Sequence, residues 1–206
     1  MNLLNHVIGI IIKPKHEWEV IKGESISTNQ LFTGYVAILA LIPVIANFIG
    51  SCFIGVKLAD FMGSSFSYKV PIVNGLIYAV ISYVMAFVGV YVSAFIINAL
   101  APKFESTQNM NNALKLVAFS YTPIWIAGVS GILLQTLRFL DIFGLYSLYL
   151  IYLGIEPMMD TSYANRTFYL LIVLLVLIVV YVVVDEVLKF FVYTPTYQLL
   201  NSQMPF

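Results

Sequence analysis

The sequence predicts an all-α fold, a polytopic membrane helix bundle of five transmembrane helices preceded by an amphipathic N-terminal helix. Two observations lead there. Of 206 residues, 61% are hydrophobic and only 10% charged, against the roughly 25% charged that keeps a soluble domain's surface wet. The apolar residues are also gathered into runs that approach or exceed the roughly 20 needed to cross about 30 Å of hydrocarbon. No repeat or low-complexity segment divides the chain, so residues 31–206 read as one membrane domain behind a segment 1–30.

Segment 1–30 has its own pattern. Leu3, Leu4, Val7, Ile8 and Ile11 share one helical face, while Asn2, Asn5, His6 and Gly9 lie away from it. Pro14 interrupts the run, and "HEWEVIKGE" then places Trp18 among charges. This pattern predicts an amphipathic helix in the cytoplasmic headgroup layer, with Trp18 as an interfacial anchor. The alternative is a helix packed on the protein's own bundle. No positive charge precedes the apolar run, so a signal peptide is not expected.

The first span is placed at 31–56 and the second at 71–100, the latter opening on Pro71, a residue well tolerated at the first helical position. The third, 113–137, contains "FSYTPIW"; the fourth, 139–155, is short; the fifth, 168–193, holds the most uniformly apolar run. Proline inside a helix costs about 3 kcal/mol in water, because it removes a donor and crowds the preceding turn. Within a membrane a Ser or Thr hydroxyl or a neighbouring helix can meet the freed carbonyl. Pro123 is therefore expected to kink span three, with Ser120 and Thr122 as partners for the Phe119 carbonyl. Pro43 does the same in span one, with Asn47 one turn on. Two kinked helices could frame a crevice.

An odd number of spans puts the termini on opposite sides, and cytoplasmic segments carry the excess of Lys and Arg. One side receives Lys13, Lys15, Lys22, Lys103, Lys115 and Arg166; the other receives Lys57, Lys69, Arg138 and Lys189. The expectation is a multi-pass protein of the cytoplasmic membrane, with its N-terminus inside and its C-terminus outside.

Chemistry-bearing motifs are sparse. Ten basic and ten acidic residues give zero net charge, and without a basic tract nucleic acid is excluded as a partner. Cys52 is the lone cysteine and can form no intrachain disulfide. His6 and His16 stand ten apart across Pro14, unlike metal ligands at helical spacing, and no HExxH, CxxC or G-x-S-x-G pattern occurs. No catalytic residue, metal or cofactor is predicted. The acids in or near the spans have structural readings: Asp141 lies beside Arg138, and Asp185 stands four before Lys189. Asp185 and Glu186 follow about 25 Å of apolar helix, which puts them near the far headgroups.

Small residues mark packing. Ser82, Ala86, Gly89 and Ser93 form one stripe of span two, and Ala46–Gly50 and Ala127–Gly131 repeat a spacing of four. Such residues let helix backbones approach closely in lipid. Packing within the bundle is the first use, and a homo-oligomer face the second.

Three stretches carry a family resemblance: "PKHEWEVIKGE" at 14–24, "ESTQNMNNALKLVAFSYTPIWIAGV" at 105–129 with Tyr121 and Pro123, and "YSLYLIYLGIEPMMD" at 146–160 with its leucine–glycine at Gly154. They resemble the Yip family, the Ypt/Rab-interacting group of membrane proteins, in its bacterial branch. The resemblance implies five spans, a cytoplasmic N-terminus and an extracytoplasmic C-terminus. Eukaryotic relatives bind prenylated Rab GTPases, but here the N-terminal segment lacks an extended domain, which argues against GTPase binding. The expected role is a non-enzymatic adaptor or organiser, with membrane lipids, other membrane proteins or a second copy as partners. The alternative is a small-solute or ion transporter or channel with its path near Pro43 and Pro123. That alternative requires Asn47, Asn74, Asn98, Ser120, Tyr121, Thr122 and Gln135 to converge on a watery cavity.

Overall fold

The computed structural model describes residues 2–61, 64–132 and 142–203, with the backbone alone for 56–61, 64–68 and 187–203. Gln135 and the Arg138–Asp141 pair lie outside the described residues. The chain opens with α1 (Leu3–Ile12), α2 (Pro14–Gly23) and the single turn α3 (Thr28–Leu31). Span one continues through a π-helical turn at Phe32–Val36, α4 (Ala37–Ile49) and a second π turn at Gly50–Ile54. An antiparallel hairpin follows, β1 (Val56–Phe61) with β2 (Ser64–Tyr68). It is a local departure from the all-α expectation, confined to the link between spans one and two.

Next come α5 (Ile72–Leu100), α6 (Met110–Ser120), α7 (Thr122–Ala127), α8 (Phe143–Met159) and α9 (Tyr163–Gln203). Local chemistry sets several boundaries. Ser27 and Gln30 form a reciprocal capping box at α3, which satisfies two otherwise orphaned N–H groups. The Asn109 side chain accepts from Asn112 N to start α6. Asp160 ends α8 in the left-handed region at φ 49°.

Among the described residues four helical stretches are long and apolar enough to cross a membrane: Thr28–Ile54, Ile72–Phe104, Met110–Ile132 and Tyr163–Glu186. These correspond to the expected spans 31–56, 71–100, 113–137 and 168–193. The expected fourth, 139–155, is replaced by α8, which runs through Gly154 and Pro157 to Met159 and has 17 residues. At 1.5 Å per residue that is about 25 Å, at the lower end of the lengths that cross the hydrocarbon.

The third stretch is the centre of the bundle. Its most apolar window is 67% buried, against 11% for the last stretch, so α9 is peripheral. All residues from Ala113 to Ser120 are buried, Lys115 among them. The helix breaks at Tyr121, and Thr122 Oγ1 donates to the Phe119 carbonyl at 2.7 Å. Thr122, not Ser120, is thus the partner of the carbonyl that Pro123 deprives of a donor.

The N-terminal segment packs on the protein's own bundle, the alternative to a helix lying on the membrane surface. The chain turns at Lys13, and α1 and α2 close on each other as a hairpin packed against α6, α7 and α8. Of the expected apolar face, Leu3, Val7 and Ile11 pack on the core, while Leu4 and Ile8, with Ile12, point outward at 66%, 55% and 67% exposure, and His6, expected to point away, is buried with Ile10. Trp18 is fully buried and is no interfacial anchor. Two contacts account for the burial of His6. Gly9 has no side chain where Glu17 crosses, and His6 finds two carboxylates on the inward side.

Candidate functional site

The buried polar groups gather where the N-terminal hairpin meets the α6–α7 bend. His6 Nδ1 lies 2.6 Å from Glu17 Oε1, and Nε2 lies 3.2 Å from Glu24 Oε2. A neutral imidazole carries one N–H, so both contacts become hydrogen bonds only when the triad holds an additional proton. Lys115 reaches from α6 to the end of α2, where its ammonium donates to the carbonyls of Ile21 at 3.2 Å and Glu24 at 2.7 Å. A cation there is favoured at the helix C-terminus, and it adds to the Ile26 N–H that the Glu24 carbonyl already accepts.

Phe119 connects this cluster to the bend. Its ring lies 5.5 Å from His6, 6.4 Å from Trp18 and 4.4 Å from Tyr35, centroid to centroid. Tyr35, from span one, donates its hydroxyl to Thr122 Oγ1 at 2.6 Å, since the Thr122 proton is already directed to the Phe119 carbonyl. One aromatic side chain therefore touches the hairpin and span one, and its own carbonyl takes part in the bend.

The residues singled out in the sequence fall into three places. Tyr121 shares a hydrogen bond with Ser93 across α5 at 3.3 Å. The Asn47 amide turns back to the Pro43 carbonyl at 2.8 Å. Between spans one and three the chain is closely packed: a Cβ on Gly128 would strike Pro43, one on Gly131 would strike Asn47, and one on Gly50 would strike the Gly131 carbonyl. Ser82 bonds the carbonyl of Tyr78 on its own helix, Ala86 packs on the core, and Gly89 faces open space. Gly154 lies elsewhere, where α8 receives Trp18; a Cβ there would press on the indole and on Leu116. The polar side chains required for a path are dispersed. Thr122 and Tyr121 are paired as described, while Ser120 Oγ and Asn98 Oδ1 are buried without a partner.

Sequence reasoning missed Glu17, Glu24, Lys115 and Tyr35. Only their type could have flagged them: carboxylates and a lysine on either side of a helix start, and a tyrosine within a span. Their convergence depends on the turn at Lys13.

A family model, the Yip1 domain, matches residues 8–184 of this chain. The chain belongs to the Yip1 domain family. Inner membrane protein YohC of Escherichia coli strain K12 is 27% identical over 164 residues, covering 77% of this chain and 81% of that protein. YohC of strain O6:H1 is similar over the same extent. No solved structure matches. The Yip1 match takes in most of the N-terminal hairpin as well as the spans, so the hairpin and bundle fall within one family unit. This is a helical membrane protein of the Yip1 family.

Proposed function

We propose that this Yip1-family chain is a non-enzymatic adaptor or organiser of the cytoplasmic membrane, crossing it five times with the N-terminus inside. The observation that carries the topology is a set of contacts between connections far apart in sequence. Lys22 pairs with Asp160 at 2.7 Å, Thr107 N donates to the Met159 carbonyl at 2.8 Å, and Ser106 bonds Thr161 at 2.8 Å. The segments before span one, after α5 and after α8 thus meet on one face. If α5 ends on that face and α6 leaves it, α8 must bring the chain back, so the short helix is the fourth crossing. Lys22, Lys103 and Arg166 gather near that face, which supports assigning it to the cytoplasm. The inner-membrane relative supports the membrane assignment.

The adaptor reading rests on where the polar groups go. Tyr121, Thr122 and Asn47 pair with side chains or backbone, and Pro43 and Asn47 pack against Gly128 and Gly131, an arrangement that disfavours a solute path between spans one and three. Outward faces are apolar instead: Leu76, Val80, Val84 and Val88 on α5, and Leu171, Leu175, Ile178 and Val182 on α9 are all exposed. These faces suit lipid, another membrane protein or a second copy. Photo-crosslinkers at Leu175 and Val179 in intact cells test the reading. Discrete protein adducts are expected; adducts with lipid alone would overturn it.

A further inference from the structure

We propose that the seam between α2 and α8 holds one phospholipid, with a phosphoethanolamine headgroup in a charged cleft and an acyl chain in an apolar hollow farther along α8. The cleft has a volume of about 780 Å³. Its charged lining comprises Lys15, Lys22 and Arg166 against Glu19, Glu156 and Asp160, which balances to zero. Two of the pairs are closed: Lys22 with Asp160 at 2.7 Å and Arg166 with Glu156 at 2.5 Å. Lys15 and Glu19 are exposed and have no ion-pair partner among the described residues. The Arg166 Nε is buried and unpaired. The site therefore presents open capacity of both signs.

Its level suits a headgroup. Arg166 precedes by two residues the apolar run that starts at Phe168, the position where aromatic and cationic residues meet the membrane surface. A phosphate can take the free donors of Lys15 and Arg166, and a primary ammonium offers three N–H groups to Glu19 and Glu156. A choline has no N–H to offer, and the aromatic faces that would cage it are occupied: the Arg166 guanidinium lies 4.0 Å from the Tyr152 ring centroid and 4.9 Å from that of Tyr163. A glycerol headgroup brings no cation for the carboxylates.

The hollow supplies the other half of an amphiphile. It measures about 430 Å³ and is lined by Ile11, Pro123, Ile126, Val129, Phe143 and Tyr146, among others. Phe143, Tyr146, Leu153 and Pro157 recur at helical spacing along one stripe of α8, so cleft and hollow lie along one side of that helix, the hollow being closed by residues of α1 and α7. From Tyr146 to Glu156 the helix rises about 15 Å, which matches the step from a lipid's headgroup to its chains. The inference does not rest on the adaptor reading, since it is measured on the purified chain without partners.

The test is lipid retention by the full chain in detergent, followed by native mass spectrometry. Phosphatidylethanolamine, phosphatidylcholine and phosphatidylglycerol with identical acyl chains are offered, together with water-soluble glycerophosphoethanolamine. Phosphatidylethanolamine should be retained at about tenfold lower concentration than the other two lipids, a difference of about 1.4 kcal/mol. Lys15→Ala and Glu19→Ala, both at exposed positions, should each remove most of that preference. Equal retention of all three lipids, or preference for phosphatidylglycerol, would overturn the proposal. Binding of glycerophosphoethanolamine as tight as the lipid would overturn the acyl-chain half. Because the wild-type ranking decides the matter, a variant that fails to fold does not protect the proposal.

Discussion

Gly154 is as much a part of the hairpin's seat as Trp18 is. The indole lies where a Cβ would be, with Leu116 closing the other side. Adding a methyl to a filled core costs about 1–3 kcal/mol, so Gly154→Ala should lower the melting temperature in detergent. Trp18→Leu should also destabilise, yet the double variant should be more stable than the sum of the two losses, because the clash disappears with the ring. Strict additivity in the four melting curves would mean that the two residues do not meet. His6 makes a different kind of contact. His6→Ala leaves Glu17, whose side chain is 11% exposed, without its hydrogen-bond partner, and an unsatisfied buried polar group costs about 1–3 kcal/mol. The hairpin should loosen, and in a Trp125→Phe background Trp18 fluorescence should become open to acrylamide quenching. Unchanged quenching would show that the triad does not hold the hairpin.

The bend in span three depends more on Thr122 than on Pro123. Pro123→Ala returns a donor toward a carbonyl that already accepts the Thr122 hydroxyl, so its effect on stability should be small. Thr122→Val removes that bond and also strands the buried Tyr35 hydroxyl, at about 1–3 kcal/mol for an unsatisfied group. Thr122→Val should therefore melt lower than Pro123→Ala; the reverse order would make the proline the source of the bend. The neighbouring contact between spans one and three is governed by distance. Gly50→Ala drives a methyl into the Gly131 carbonyl, whereas Gly89→Ala enters open space. Loss of folded yield for the first and none for the second is expected, and equal yields would mean that the two spans can separate without cost.

Across the bundle, the five crossings proposed from the contacts near Lys22, Ser106 and Thr161 are open to a direct count. Single cysteines introduced in a Cys52→Ala background can read this directly in intact cells. Ser25→Cys and Ser162→Cys should react only after the cytoplasmic side is opened, and Lys69→Cys should react from outside. Labelling of Ser162→Cys from outside would remove α8 from the crossings and leave the chain with four.

Composition and run length were enough to establish a helical membrane protein, because hydrocarbon accepts little else than apolar helices of sufficient length. The four long apolar stretches were legible for the same reason; Pro123 stands where span three breaks, and Gly50 and Gly131 stand where two backbones approach. The N-terminal face was legible only in part, with Leu3, Val7 and Ile11 packed inward. Apolar periodicity reports which side avoids water, but in a membrane both lipid and protein satisfy that demand, so Leu4, Ile8 and Ile12 could point outward while His6 turned in. Nor could spacing reveal that Glu17 and Glu24 meet His6, or that Lys115 completes the end of α2, since these partners are brought together by the turn at Lys13 and the packing of α2 on α8. The chain's apolar runs determined that it is a bundle; only the tertiary structure decided which polar groups lie inside it, because burial of a charge depends on partners that distant segments supply.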